Sequence, residues 1–114
     1  MAGCQTINIE SGMPTVEVAR ARLSQGLRSA KSQGFTVARV IHGYGSSGKG
    51  GAIKQDVQRT LQQKRASGQI RAFVKGEDFS PFDAPARLIV EHCPPMSRDI
   101  DYNRQNHGVT IVLL

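Results

Sequence analysis

Five of the chain's twelve glycines fall between Gly43 and Gly51, directly after one regular segment and directly before another. The preceding run, Phe35-Thr36-Val37-Ala38-Arg39-Val40-Ile41, is rich in β-branched residues and reads as a strand. The following run, from about Ala52 to Arg65, carries Ile53, Val57 and Leu61 on one stripe and reads as a helix. A strand that ends in permissive backbone and feeds a helix is the repeating unit of α/β proteins. This cluster therefore constrains the fold more than any other feature.

The rest of the chain extends the unit in both directions. Thr6-Ile7-Asn8-Ile9-Glu10 alternates apolar and polar residues, as a half-buried strand does. Thr15 is placed to cap a helix running to about Gln33, with Val16, Ala19, Leu23, Leu27 and Ala30 as its apolar stripe and Gly34 as its stop. Ile70-Arg71-Ala72-Phe73-Val74 predicts a third strand, with Ile70, Ala72 and Val74 on one side. Asp83 followed by Ala84-Pro85-Ala86 suggests a short capped helix through His92; a strand through Leu88-Ile89-Val90 is the alternative. Gly108-Val109-Thr110-Ile111-Val112-Leu113-Leu114 has so little polar relief that it reads as a central strand. The order β-α-β-α-β-β predicts an α/β two-layer sandwich: a four-stranded mixed sheet with two long helices on one face. Residues 1–5 read as a disordered N-terminus, 6–114 as the domain, and 77–107 as a long irregular connection.

Fifteen Lys and Arg against nine Asp and Glu give a formal net charge of +6, which favours polyanionic partners, nucleic acid first among them. No apolar run approaches the roughly 20 residues that a membrane span needs, and Met1–Thr6 lacks the features of a signal peptide, so no membrane partner and a cytoplasmic location are expected. Cys4 and Cys93 are read as free thiols, Cys4 in the frayed terminus. Neither cysteine nor any of His42, His92 and His107 has structural-zinc spacing, so no metal ligand is assigned.

The loop is His42-Gly43-Tyr44-Gly45-Ser46-Ser47-Gly48-Lys49-Gly50-Gly51. Between a strand and a helix, its glycines free backbone N–H groups to face a ligand, and the helix dipole favours an anion there. Ser46, Ser47 and Lys49 add donors, and Tyr44 either stacks on a base or covers the loop. The segment also matches two nucleotide motifs, and neither holds. The G-x-G-x-x-G match lacks an acidic residue ending the next strand, and the G-x-x-x-x-G-K match has Gly50 where Ser or Thr would bind magnesium. A backbone phosphate is the expected ligand.

Thr15-Val16-Glu17-Val18-Ala19, Val40-Ile41-His42-Gly43-Tyr44-Gly45, Gly51-Ala52-Ile53-Lys54 and Gly108-Val109-Thr110-Ile111-Val112 together resemble the Smr (small MutS-related) domain. The resemblance implies a four-stranded sheet under two helices, like the C-terminal domain of translation initiation factor 3. It also implies DNA or RNA binding, with metal-dependent endonuclease activity in several members. The resemblance maps the family's loop histidine and glycines onto His42, Gly43 and Gly45 and its early-helix basic residue onto Lys54. With the loop's own donors the binding set is Gly43, Tyr44, Gly45, Ser46, Ser47, Gly48, Lys49 and Lys54, and the candidate catalytic residues are His42 and Glu10. Nuclease members carry L-D-x-H-G in the first strand; here the positions read Ile7-Asn8-Ile9-Glu10-Ser11, which removes the family's carboxylate and imidazole.

Three functions follow. The first is a nucleic-acid-binding module. The second is an endonuclease using His42, Glu10 and Asp56 or Glu77 with Mg²⁺ or Mn²⁺. The third is a protein-interaction module on ribosome or repair complexes. His92 and His107 are read as structural hydrogen-bonding residues, and Phe79 and Phe82 as anchors of the long connection.

Overall fold

The computed structural model describes residues 3–43 and 48–114, with backbone alone for 48–50. Four strands, β1 (Cys4–Asn8), β2 (Val37–Ile41), β3 (Ala72–Lys75) and β4 (Val109–Leu113), form one mixed sheet in the order β1-β2-β4-β3. β1 runs parallel to β2, and β4 runs antiparallel to both β2 and β3. Every residue of β4 is buried, as expected of a central strand with no polar alternation.

Three helices connect the strands: α1 (Val16–Ser32), α2 (Gly48–Ala66) and α3 (Ala84–His92). Thr15 caps α1 by accepting from the Val18 amide, and Ala19, Leu23, Leu27 and Ala30 form its buried stripe. Both α1 and α2 pack on one face of the sheet with Ile7, Ala38, Val40 and Val112. The β1-to-β2 and β2-to-β3 steps go the same way across the sheet, so crossovers of one hand place both helices on one side.

The opposite face is covered as well. Val37, Val74, Ile111 and Leu113 pack there against Phe79, Ala86 and Ile89. The connection 77–107 is thus a folded cover rather than an irregular loop. It contains 3₁₀ turns at Gly76–Asp78 and Pro94–Arg98, with α3 between them. Asp83 caps α3 by accepting from the Ala86 amide, which resolves the helix-or-strand alternative for 84–92 in favour of a helix. Phe79 anchors this cover, fully buried and edge-on to Tyr102 at 5.0 Å between ring centres. Phe82 does not: it is 88% exposed, because the chain turns outward immediately before the α3 cap.

Several boundaries move. β1 begins at Cys4, so the terminus is ordered from Gly3, whose carbonyl accepts from the Thr36 and Val37 amides. Cys4 lies in the strand and packs beside the cluster containing Cys93; both thiols are free. The strand stops at Asn8 because its side-chain oxygen accepts the Glu10 and Ser11 amides, each at 3.0 Å, and turns the chain. Ile70 precedes β3 and joins the α1–α2 core, so only Ala72 and Val74 share the other face.

Candidate functional site

β2 delivers the chain to the glycine segment, and β4 holds that segment's mouth. The His42 and Gly43 amides both donate to the Gly108 carbonyl, at 3.0 and 3.1 Å. Gly43 has φ +82°, and the Glu10 carboxylate occupies the place a Cβ would take. Glycine is required there twice over, by conformation and by space.

His42 is 1% exposed. Its Nδ1 lies 3.0 Å from the Gly43 carbonyl oxygen, and its Nε2 lies 2.9 Å from Thr110 Oγ1. Gln58 Nε2 donates to the same hydroxyl at 2.9 Å. One assignment satisfies all three contacts: Nδ1–H donates to Gly43, the Thr110 hydroxyl donates to Nε2, and Gln58 donates to Thr110. The ring is neutral in that arrangement, and burial pushes its pKa below the usual histidine value. His42 therefore ties β2, β4 and α2 together rather than standing open as a base.

Acid should expose this role. An unfolded histidine takes up its proton near pH 6.5, whereas the buried ring does so only at lower pH. The stability contributed by neutral His42 is full above about pH 6.5 and drains as the pH falls below it, by at most about 1.4 kcal/mol per pH unit. Denaturant titrations between about pH 8 and pH 5 should show this slope, and His42→Gln should remove it. A wild-type stability that stays flat across that window would contradict the assignment. Asp56 and Glu77, whose folded pKa values are lowered, add losses only as the pH falls below about 4.

The other predicted residues separate. Glu10 is exposed and touches Gly43. It lines a cleft with Ile41 and Val109, residues that point to the α3 side of the sheet, whereas His42 and Thr110 point to the α2 side. The two candidate catalytic residues thus lie on opposite faces and do not form a pair. Lys54 donates to Glu77 Oε2 at 2.8 Å and to the His107 carbonyl at 2.9 Å. Its charge is matched and ties α2 to the segment entering β4, so it is not open to phosphate. Burial works against the Glu77 charge, but Lys54 outweighs it and holds the carboxyl below its usual range.

Asp56 is buried and accepts from Arg20 Nε and a terminal nitrogen at 2.9 and 2.7 Å, a forked pair that clamps α1 to α2. That pair holds its carboxyl below the ordinary value. Asp56 and Glu77 are therefore structural partners of cations, and no cluster of three His, Cys, Asp or Glu among the described residues is arranged to hold a metal. These residues do not fit the Mg²⁺ or Mn²⁺ site of a nuclease. His92 Nδ1 lies 3.0 Å from the Leu88 carbonyl, a contact within α3, and His107, largely exposed, has its Nδ1 3.5 Å from Glu77. Tyr44, Gly45, Ser46, Ser47 and the Lys49 side chain lie outside the described residues; Gly48 and Lys49 have helical backbone.

Sequence reasoning missed Thr110, Gln58 and Gly108, which hold the mouth, and Arg39, which lies beneath the cleft. Arg39 pairs with Asp99 and, at 2.9 Å, with Asp101. Only Gly108 carried a signal, as the residue before the closing strand.

The fold and this site define a small α/β domain in which the end of a strand, at the mouth of a glycine segment that leads to a helix, is held by the residue preceding a neighbouring antiparallel strand. A family profile described as the Smr domain matches residues 11–78, more than half the chain. The chain belongs to the Smr domain family. The crystal structure of the Smr domain of Thermus thermophilus MutS2 aligns with a TM-score of 0.56 at 22% identity, over 97% of this chain and 95% of that one, and shares its fold. No curated protein matches. No helix among the described residues is long and apolar enough to cross a membrane.

Proposed function

We propose that this domain binds nucleic-acid backbone at the glycine segment between β2 and α2, and that it binds without cutting. One observation carries the reading: the segment's mouth is fixed at Gly108, and the segment leads into a 19-residue helix with no acidic residue in its first turn. The free amides of such a helix start favour a phosphate. A family that binds nucleic acid in general and the net charge of +6 support it. Strand cleavage is left out of the proposal because His42 is buried and neutral, Glu10 lies on the other face, and Asp56 and Glu77 are matched by cations.

Fluorescence anisotropy with labelled oligonucleotides at several salt concentrations tests binding. Lys49→Ala should weaken all sequences alike and flatten the slope of log affinity against log salt by about 0.7–0.9, one phosphate contact. An unchanged slope would remove Lys49 from the site. Incubation with Mg²⁺ or Mn²⁺ should leave the oligonucleotides intact, and metal-dependent cleavage by the purified domain would overturn the non-cutting half.

A further inference from the structure

Beside the mouth of the glycine segment, on the α3 face of the sheet, lies a cleft of about 350 Å³. Its floor is Ile41 and Val109, its outer wall is Ile100, and the Glu10 carboxylate stands at its rim against Gly43. Ile100 is 76% exposed, an isolated branched apolar side chain at the edge of a cleft. Two other polar side chains of the lining are paired. Asn106 donates to Asp101 and accepts from the Gly108 amide, and Arg39 is held by Asp99 and Asp101.

This chemistry rejects phosphate. With Glu10 and Asp101 against Arg39 in its lining, the cleft carries an excess of negative charge, although it opens beside a segment suited to anions. It suits a flat, mostly apolar group whose edge carries hydrogen-bond donors. Among nucleobases, guanine alone presents two adjacent donors, N1–H and the N2 amino group, on the edge that an unpaired base offers, and a carboxylate has two oxygens to accept them. Adenine and cytosine set a ring-nitrogen lone pair beside their amino group, and uracil flanks its single donor with two carbonyls; each turns an acceptor toward the carboxylate.

We propose that this cleft takes an unpaired guanine of the strand held at the glycine segment, packed between Ile100 and the Ile41–Val109 floor and read by the Glu10 carboxylate. The proposal rests on the backbone-binding reading and gives it a preference: single-stranded segments containing guanine. It also gives Glu10 a positive role, as the reader of a base.

Anisotropy with uridine oligomers carrying one central guanosine, adenosine or inosine tests it. The guanosine oligomer should bind about tenfold tighter than the all-uridine one, the adenosine oligomer should show no gain, and inosine, lacking the amino group, should fall between. Glu10→Gln should collapse the ratio of guanosine to all-uridine affinity toward one, since a carboxamide replaces one acceptor with a donor. Guanosine monophosphate alone should shift the Gly108 and Val109 amide resonances, and uridine monophosphate should not. Equal, salt-dependent binding of all oligomers would overturn the guanine pocket and leave backbone binding intact. Absence of binding to every oligomer would overturn both. Saturating shifts of the same amides by N-acetyl-arginine methylamide, with none by guanosine monophosphate, would overturn the proposal in favour of a protein side chain.

Discussion

Replacing His42 by alanine should lower the stability of the domain at neutral pH by about 2–4 kcal/mol, a large fraction of what a domain this size has. The imidazole is fully buried, and its removal leaves a void between β2, β4 and α2. It also leaves the Thr110 hydroxyl without the acceptor it donates to, which adds the cost of a buried polar group left unpaired. Chemical denaturation followed by circular dichroism measures the loss. His42→Gln should recover part of it, since a carboxamide can still donate toward the Gly43 carbonyl. A variant that melts like wild type yet loses nucleic acid would instead make His42 a ligand contact.

Gly76→Ala should be as damaging, for a reason of space. The added methyl would run into the Asn106 carbonyl oxygen and lie 2.6 Å from a Val109 methyl and 2.8 Å from the Val109 carbonyl. Two of these are backbone atoms in the stretch that presents Gly108 to His42 and Gly43, so relief means moving the platform of the glycine segment. About 3 kcal/mol or more is expected, together with weaker oligonucleotide binding even where the domain stays folded. Gly51→Ala is the matched control. Among the described residues nothing lies within 4 Å of its added methyl, and Gly51 is helical, so the change should stabilise by roughly 0.5–1 kcal/mol. If both substitutions destabilise equally, helix and loop glycines here do not differ in the way described.

The parts of the fold legible in the sequence are those fixed by neighbours along the chain. The Thr15 and Asp83 caps each act on an amide three residues on, and both were readable as spacing. The unbroken apolar run Val109–Leu113 announced an interior strand, and it is one. α2 starts at Gly48, four residues before the start at about Ala52 that the pattern predicts, because Gly48, Gly50 and Gly51 have poor helix propensity, which the surrounding fold overrides. Partners distant in sequence left no local trace. Thr110 lies 68 residues from His42, Asp56 lies 36 from Arg20, and Glu77 lies 23 from Lys54. Two of the readings that moved, Lys54 as a phosphate contact and Asp56 as a metal ligand, concern charged side chains whose partners only the tertiary fold supplies. The altered Asn8 position was visible as a change of chemistry, but its use as a turn-former emerged only with the amides it accepts.

The interior place of β4 has a consequence for how the domain comes into being. Its residues are the last of the four strands to be synthesised, yet they lie between β2 and β3 and pair with both. A nascent chain that has not reached Val109 therefore carries two unpaired strand edges, and no Gly108 to close the glycine segment. Such edges are templates for a strand from another chain. A ribosome stalled before this point holds a product that is open to mispairing and whose glycine segment is not yet held at its mouth, and the synthesis of β4 ends both conditions together.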